Sequence, residues 1–322
     1  MNDARSYDVI VVGAGPAGLT AALYGGRSML KTAILERGAP GGELLNTELI
    51  EDYPGFESVK GFELAAKMAQ HALRFGAEMI TDTVSAVEKR ADGQFQVTTD
   101  GGLLLEAPAV ILTAGGTPTK LGVPGETEYA GKGVSYCAVC DGHFFRGEVL
   151  AVAGGGDAAC EEADFLTRYA SKVWLIHRRD RFRASPIIQK KVFDNPQIEV
   201  IWDTVVEQVA GDGKATKHLV LKHLKTGATS QLPVGGIFVF IGFRPNTGIV
   251  KGHFAHDAGG YCITDTNMQS SIEGLYAAGD VRAQLTRQIT TAVGDATTAA
   301  IAAAKYVGDW KAKQAVGASR TP

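Results

Sequence analysis

Residues 7–27 read YDVIVVGAGPAGLTAALYGGR, and the fold turns on how they are read. Val9 to Val12 form a short apolar run of the kind that makes a buried strand. The run leads straight into Gly13-x-Gly15-x-x-Gly18, with Pro16 and Ala17 inside the loop, and then into an Ala/Leu-rich stretch that predicts a helix. The three glycines serve different ends. Gly13 permits the tight turn, Gly15 lets backbone approach a pyrophosphate, and Gly18 lets the helix pack closely on the strand. The helix N-terminus then faces the phosphates with free N–H groups and the positive end of its dipole. About twenty residues on, KTAILERG (31–38) predicts a second strand ending at Glu36, followed by Arg37. A carboxylate there accepts hydrogen bonds from a ribose diol. A lone glycine motif is weak evidence; strand, loop, helix and acid together predict a dinucleotide site.

The device recurs. In GEVLAVAGGGDAACEEADFL (147–166) the strand is Val149 to Ala153 and the loop is Gly154-x-Gly156-x-x-Ala159. A shift of 141 positions carries the three loop residues of the first copy onto these, and carries Glu36 onto His177. His177 opens the run HRRDRFR, with Arg178, Arg179 and Arg183. A carboxylate suits a free 2′-hydroxyl and repels a phosphate. A cationic cluster suits a 2′-phosphate, because guanidinium groups present a planar fork of donors to its oxygens. The first copy is therefore expected to take a dinucleotide with a free ribose, and the second to take NADP(H).

The chain has 322 residues, enough for two domains with separate cores, and a formal net charge of −3. That charge lacks the basic excess of a nucleic-acid binder and gives no attraction to anionic membranes. No apolar stretch approaches the roughly 18–20 residues of a membrane helix, and the short N-terminal apolar run is the first strand rather than an export signal. The expected location is the cytoplasm. ILTAGGTPTKLGVPGE (111–126) and FVFIGFRPNTG (238–248) read as strands breaking at Gly/Pro-rich crossings on either side of the second copy. The expected class is α/β: two Rossmann-like three-layer dinucleotide-binding domains, one inserted into the other. The expected boundaries are 1–116, 117–245 and 246–322. The end, KAKQAVGASRTP (311–322), reads as a frayed tail.

With these motifs goes a resemblance. GAGPAG (13–18), GGEL (41–44), DYPGF (52–56), CAVCDG (137–142), GGGDAA (154–159), HRRDRFRA (177–184), GFRPN (242–246), AAGD (277–280) and RQ (287–288) resemble, in order and spacing, the low-molecular-weight NADPH-dependent thioredoxin reductases of bacteria, archaea and plants. The resemblance runs from about Tyr7 to about Ala303. It implies FAD in the first copy, NADPH in the inserted copy, thioredoxin as the protein substrate, and a homodimer built through the FAD domains. Carried over by position, it places Gly13, Gly15, Pro16, Ala17, Gly18, Glu36, Arg37, Gly42, Glu43, Leu44, Asn46, Asp52, Gly279, Asp280, Arg287, Gln288 and Ile289 about FAD. It places Gly154, Gly156, Asp157, Ala158, His177, Arg178, Arg179, Arg183, Ile241 and Gly242 about NADPH. Three positions and one segment depart from the family pattern: Glu43 stands for Gln, Asp52 for Asn, Ala158 for Ser or Thr, and Val293-Gly294-Asp295-Ala296 for Ala-Gly-x-Gly. The first two bring carboxylates toward the flavin site.

The remaining motif is SYCAVCDGHFF (135–145). A zinc clip needs about four ligands, commonly two such cysteine pairs. Here there is one pair, His143 does not complete a site, and Cys160 and Cys262 lack ligand-like neighbours. A structural staple across two residues closes a tiny loop and constrains the unfolded chain little. A redox-active dithiol remains. By resemblance, Cys140 faces the flavin, Cys137 attacks the disulfide of the substrate, and Asp141 supplies a proton, where its bland role is that of a turn residue. A dithiol that meets both flavin and a partner protein implies rotation of the inserted domain about the two crossings, and the family is known for one. Phe144 and Phe145 are expected either to anchor the partner or to fill core. Four rivals carry contrary signs: a reductase of a dedicated peroxidase domain has extra N-terminal domains, an oxidase of small dithiols often loses the arginine cluster, a ferredoxin-dependent enzyme has a degraded nucleotide loop, and a pure nucleotide sensor needs no dithiol.

Overall fold

Alternation within the strands sets the layers. In the computed structural model, which describes residues 4–47 and 49–318 (side chains to residue 315), the longer elements run in chain order as follows. They are β1 (Val9–Val12), α1 (Pro16–Arg27), β2 (Thr32–Glu36), α2 (Gly61–Leu73), β3 (Glu78–Thr81), β4 (Val84–Lys89), β5 (Phe95–Thr99), β6 (Leu104–Ala107) and β7 (Ala109–Leu112). Then come β8 (Val134–Ser135), β9 (Val149–Gly154), α3 (Asp157–Leu166), β10 (Lys172–Ile176), α4 (Pro186–Asp194), β11 (Ile198–Ile201), β12 (Thr204–Gly211), β13 (Thr216–His223), β14 (Thr229–Pro233) and β15 (Gly236–Phe240). β16 (Leu275–Ala277) and α5 (Ile289–Ala318) complete the chain. It divides into two units: residues up to Thr117 with those from Pro245 onward, and Pro118–Arg244 between them.

In the first unit a parallel sheet of order β16-β7-β1-β2-β3 has β1 at its centre. Val9 and Val11 of β1 point into a core shared with Leu19, Ala21 and Ala22 of α1 and Ala296, Ala299 and Ala303 of α5. Ile10 and Val12 point the other way, onto Phe95, Val97 and Leu105 of the smaller sheet β4–β6. This is the period-2 signature of a strand buried on both faces. The small residues let α1 and α5 approach the sheet closely. The second unit repeats the plan. Its parallel sheet has the order β8-β15-β9-β10-β11, and the antiparallel meander β12-β13-β14 forms its third layer. Leu150 and Val152 face α3, while Ala151 and Ala153 face the meander. In both units the glycine loop leaves the central strand where the strand order reverses, the position at which open α/β sheets bind ligands.

The two crossings, Gly116–Pro118 and Phe243–Pro245, pair with each other as a two-stranded ladder. Glu126 braces the segment that follows the first of them inside the second unit. Its carboxylate is 3% exposed and accepts from the Leu121 and Gly122 N–H groups and the Tyr136 hydroxyl, each at 2.7 Å. Burial alone would raise the Glu126 carboxyl, but these donors outweigh it and hold it below its usual value.

The C-terminal segment differs from the sequence reading. α5 continues to Ala318, and Lys311 Nζ lies 2.6 Å from Asp8 Oδ1, so residues 311–318 extend a helix rather than fray. Residues 319–322 lie outside the described residues. The good helix formers Lys311, Ala312, Lys313, Gln314 and Ala315 carry the helix into this segment.

Candidate active site

The first cradle is built from four glycine-permitted approaches. Gly13 adopts φ +101°, and a Cβ on Gly18 would stand 1.7 Å from the Gly13 carbonyl oxygen, so helix α1 can start against the loop only without a side chain there. Gly42 opens a short 3₁₀ turn, Gly42–Asn46, against the loop: its Cβ would lie 3.1 Å from the Gly15 Cα. Gly279, at φ +74°, lies against Ala17, 3.0 Å from a would-be Cβ to the Ala17 Cβ. Leu44 is buried in a small core that Ile289 joins, tying the turn to the start of α5. Side chains at these positions would strike neighbouring protein atoms and force the loop, helix and turns apart, so the residues present fit the close-packed backbone loop that a dinucleotide needs.

Glu36 closes the cradle at the end of β2. Its Oε2 accepts from Ala14 N–H at 2.8 Å and its Oε1 from Gly38 N–H at 3.1 Å. Remaining lone pairs on both oxygens are left for a ribose. Arg37 beside it is exposed. Asp280 sits in a 3₁₀ turn, Gly279–Val281, whose support the motif alone does not explain. Gly279 N–H donates to Asp295 Oδ2 at 3.2 Å, and Asp295 Oδ1 pairs with Arg282 Nη1 at 2.7 Å, both side chains largely buried. Breaking such a pair by removing one partner costs about 3–5 kcal/mol. Asp295 stands at the variable position of the Val293–Ala296 segment, and it holds the turn beneath Asp280. Burial pushes the Asp280 carboxyl above its usual value; Arg287 opposes this, while Glu43 and Asp295 add to it. Arg287 Nε reaches the Asp280 carbonyl at 3.4 Å and its guanidinium covers the Tyr261 ring at 3.9 Å. Gln288 caps the start of α5 through Thr291. Asn46 Nδ2 donates to Glu43 at 3.1 Å. Asp52 is exposed, and among the described residues no contact ties it to this group.

The second cradle shows why its third small residue is alanine. A Cβ on Gly154 would stand 2.4 Å from the Ala159 Cβ, so Ala159 already fills the gap that Gly18 leaves. Gly156 faces open space. Here one sequence expectation is corrected. His177 is 6% exposed, lies under the loop and does not join a cationic surface. Its Nδ1–H donates to the Gly154 carbonyl at 2.8 Å. A Cβ on Gly155 would strike its ring, 2.2 Å from Nδ1. Burial lowers its pKa, and the fields of Arg179 and Arg183 act in the same direction, so the ring is neutral near pH 7. His177 thus does in the second copy what Glu36 does in the first: it clamps the glycine loop to the end of the neighbouring strand.

Two further bonds hang the arginine segment on that loop. Arg183 N–H donates to the Gly155 carbonyl at 2.8 Å, and Ser185 N–H to Asp157 Oδ1 at 2.6 Å. Arg178, Arg179, Arg181 and Arg183 are all exposed. The acids nearby are taken by a lysine: Lys225 pairs with Asp180 at 3.6 Å and Asp203 at 2.8 Å. The guanidinium groups therefore stand beside the cradle with their donors available to a phosphate. Arg181 belongs with them, although the motif does not single it out. Ala158 is exposed on the first turn of α3; Ile241 and Gly242 (φ +115°) follow the end of β15.

Cys137 and Cys140 form a disulfide in the same unit, one strand away from the second cradle. Cys137 is half-buried and Cys140 exposed. A single helical turn, Ala138–Asp141, carries them, and Cys140 N–H donates to Cys137 Sγ at 3.1 Å. Ser135, to which the sequence reading gives no role, organises the turn. Its hydroxyl donates to Asp141 Oδ2 at 2.6 Å and its oxygen accepts from Cys137 N–H at 3.1 Å. Asp141 is thereby tied to the cysteine backbone rather than left as a loose turn residue. The two phenylalanines divide: Phe145 packs edge-on against Phe238 in the core, while Phe144 is 73% exposed and stacks on His143 at 3.9 Å. Cys160 and Cys262 are buried, which pushes their thiols up to about 12 and about 11. After reduction, brief treatment of the folded protein with iodoacetamide near neutral pH is expected to alkylate Cys137 and Cys140 only, read by peptide mass spectrometry. Labelling of Cys160 would count against the buried, protonated state.

Two nucleotide cradles of one design with a disulfide beside the second define a flavin- and nicotinamide-dependent disulfide oxidoreductase. Residues 7–296 match the model of the pyridine nucleotide-disulphide oxidoreductases, and the chain belongs to that family. Its relatives narrow the match. It is 45% identical over 311 residues to the thioredoxin reductase of Listeria innocua, covering 96% of this chain and 97% of the other. It is 44% identical over 308 residues to that of Bacillus subtilis, covering 95% and 96%. Among solved structures, Lactococcus lactis thioredoxin reductase superimposes with a TM-score of 0.92 at 44% identity, covering 94% of this chain and 99% of the other. The T. acidophilum enzyme gives 0.89 at 35% identity, covering 94% and 98%. The cofactors of the chain are FAD and NADPH, and it is an oxidoreductase of disulfides.

Proposed function

We infer that this chain reduces thioredoxin at the expense of NADPH, with the Cys137–Cys140 pair as the group that exchanges with the substrate. The observation that carries this is the exposed disulfide on a turn fixed by Ser135 and Asp141, in the unit that also bears the arginine-flanked cradle. When bound, FAD accepts the hydride of NADPH and hands two electrons to the disulfide. The chain's own residues do the rest. Breaking the Cys137–Cys140 bond leaves one thiol and one thiolate, and Asp141 holds the proton that decides which sulfur is neutral. The Cys137 thiolate attacks the substrate disulfide, forming a mixed disulfide and releasing one substrate thiolate, which takes up a proton. Cys140 then attacks the mixed disulfide, re-forming Cys137–Cys140 and releasing the second substrate thiol, so that two electrons and two protons leave with the dithiol product.

In this reading Glu36 receives the adenosine ribose of FAD, and Arg178, Arg179 and Arg183 receive the 2′-phosphate of NADPH. Phe144, exposed beside the disulfide, is the apolar contact for the protein substrate. The paired crossings serve as the hinge of the inserted domain. The enzyme is a homodimer through its FAD domains; Ile301, exposed within the Ala-rich stretch of helix α5, supports that surface. Light scattering at micromolar concentration is expected to give twice the chain mass.

The test of the function is NADPH oxidation by the purified yellow protein with and without oxidised thioredoxin. Strong stimulation by thioredoxin supports the assignment; bleaching of the flavin without stimulation moves the search to other disulfide substrates. Asp141→Asn is expected to slow thioredoxin reduction about 10²-fold, within the range for loss of a positioned acid, with little change in the rate of flavin bleaching by NADPH. Equal slowing of both would place Asp141 in folding of the turn instead.

A further inference from the structure

The turn Gly42–Asn46 carries a carboxylate beside the phosphate loop of the first cradle. Gly42 touches Gly15 of the phosphate loop, so Glu43 begins one peptide away from it. Glu43 is exposed and its Oε2 accepts from the Asn46 amide, a neutral partner. The other charged groups of this cradle are Glu36, Arg37, Asp280, Asp295, Arg282 and Arg287. Asp295 is neutralised by Arg282, and Arg287 acts on Asp280. Among the described residues no lysine or arginine forms an ion pair with Glu43. Its field nonetheless reaches Asp280, so the two carboxylates share one wall.

We propose that Glu43 makes the retention of FAD proton-linked, loosening the cofactor when ionised and releasing that repulsion when protonated. The proposal rests on the assignment of FAD to the first cradle. A carboxylate within a Debye length of two phosphate charges repels them, and a group whose ionisation opposes binding must gain affinity for protons when the ligand is bound. FAD binding therefore takes up protons, and the flavin is held more tightly as the pH falls. The other charged groups of the cradle are common to the wild type and to Glu43 variants, so their contributions cancel in the comparison.

The experiment uses the holoenzyme. Release of FAD after dilution is followed as the rise in free-flavin fluorescence from about pH 4.5 to about pH 7.5, for the wild type, Glu43→Gln and Glu43→Asp. The wild type is expected to release FAD about fivefold faster at the upper pH than at the lower. Glu43→Gln should release it about tenfold more slowly than the wild type at the upper pH, with a nearly flat profile, and Glu43→Asp should keep the wild-type slope. Release from Glu43→Gln that is as fast as from the wild type, or an unchanged slope, overturns the proposal. Purified wild-type protein that carries no flavin and takes none up would instead overturn the FAD assignment.

Discussion

Cys140→Ser is expected to lower thioredoxin-dependent NADPH oxidation by at least about 10³-fold, the scale seen when a covalent nucleophile is removed, while NADPH still bleaches the flavin. The two halves of that outcome separate two parts of the chain. The electron path into the flavin depends on the cradles, which lie on β1–α1 and β9–α3 and contain no cysteine at the reacting positions. The path out depends on a bond between Cys137 and Cys140 that serine cannot form. The variant also distinguishes the cysteines. With Cys140 gone, the mixed disulfide between Cys137 and thioredoxin cannot be resolved from within, so it should accumulate and show on a non-reducing gel. Cys137→Ser should be equally inactive but form no such adduct. An adduct in Cys137→Ser and none in Cys140→Ser would reverse the roles assigned to the two sulfurs. Full activity in either variant would remove the dithiol from the mechanism altogether.

Where the sequence is legible, one short segment carries the whole constraint. The tight turn at Gly13, the close approach at Gly18 and the acid at Glu36 are separated by at most two dozen residues, and the same spacing recurs in the second copy. The repeat therefore exposes both cradles and the insertion of one unit into the other. What the sequence hides depends on contacts between distant segments. His177 occupies the position of Glu36, and position alone makes it a phosphate ligand. Only the packed loop shows the ring turned inward to the Gly154 carbonyl, while the arginines of the same segment stand outward. The Asp295–Arg282 pair joins a helix to a turn with no motif of its own, and its sole trace in the sequence is a charged residue in an Ala/Thr-rich helix. Ser135 lies two residues before Cys137, near enough to be found, but its hydroxyl matters through Asp141, which the helical turn brings back to it. The Phe144–Phe145 pair is undecided between docking and core in the sequence because adjacent residues on a tight turn point in different directions; the structure buries one and exposes the other.

Replacing Arg178 and Arg179 by alanine should lower kcat/KM for NADPH about 10³-fold and leave that for NADH within a few fold. Each guanidinium that loses a phosphate contact forfeits a hydrogen bond to a charged group, worth about 1.5–3 kcal/mol, and two such losses amount to a factor near 10³. The effect falls on the 2′-phosphate alone because the rest of the cradle is held by other groups. His177 fixes the glycine loop through Gly154, and Arg183 and Asp157 hold the segment through backbone bonds that survive a change of side chain at 178 and 179. The double variant should therefore keep its fold, its flavin and its thioredoxin reactivity, and lose only its preference between the two nicotinamide coenzymes. His177→Ala makes the opposite prediction. Removing a buried ring beneath the loop leaves a cavity and an unpaired Gly154 carbonyl, so both coenzymes should lose affinity together while the ratio between them stays near the wild-type value. Measured side by side, the two variants separate a residue that reads the phosphate from one that shapes the surface it lands on. A loss of NADPH preference in His177→Ala would return the histidine to the cationic cluster that its position in the sequence implies.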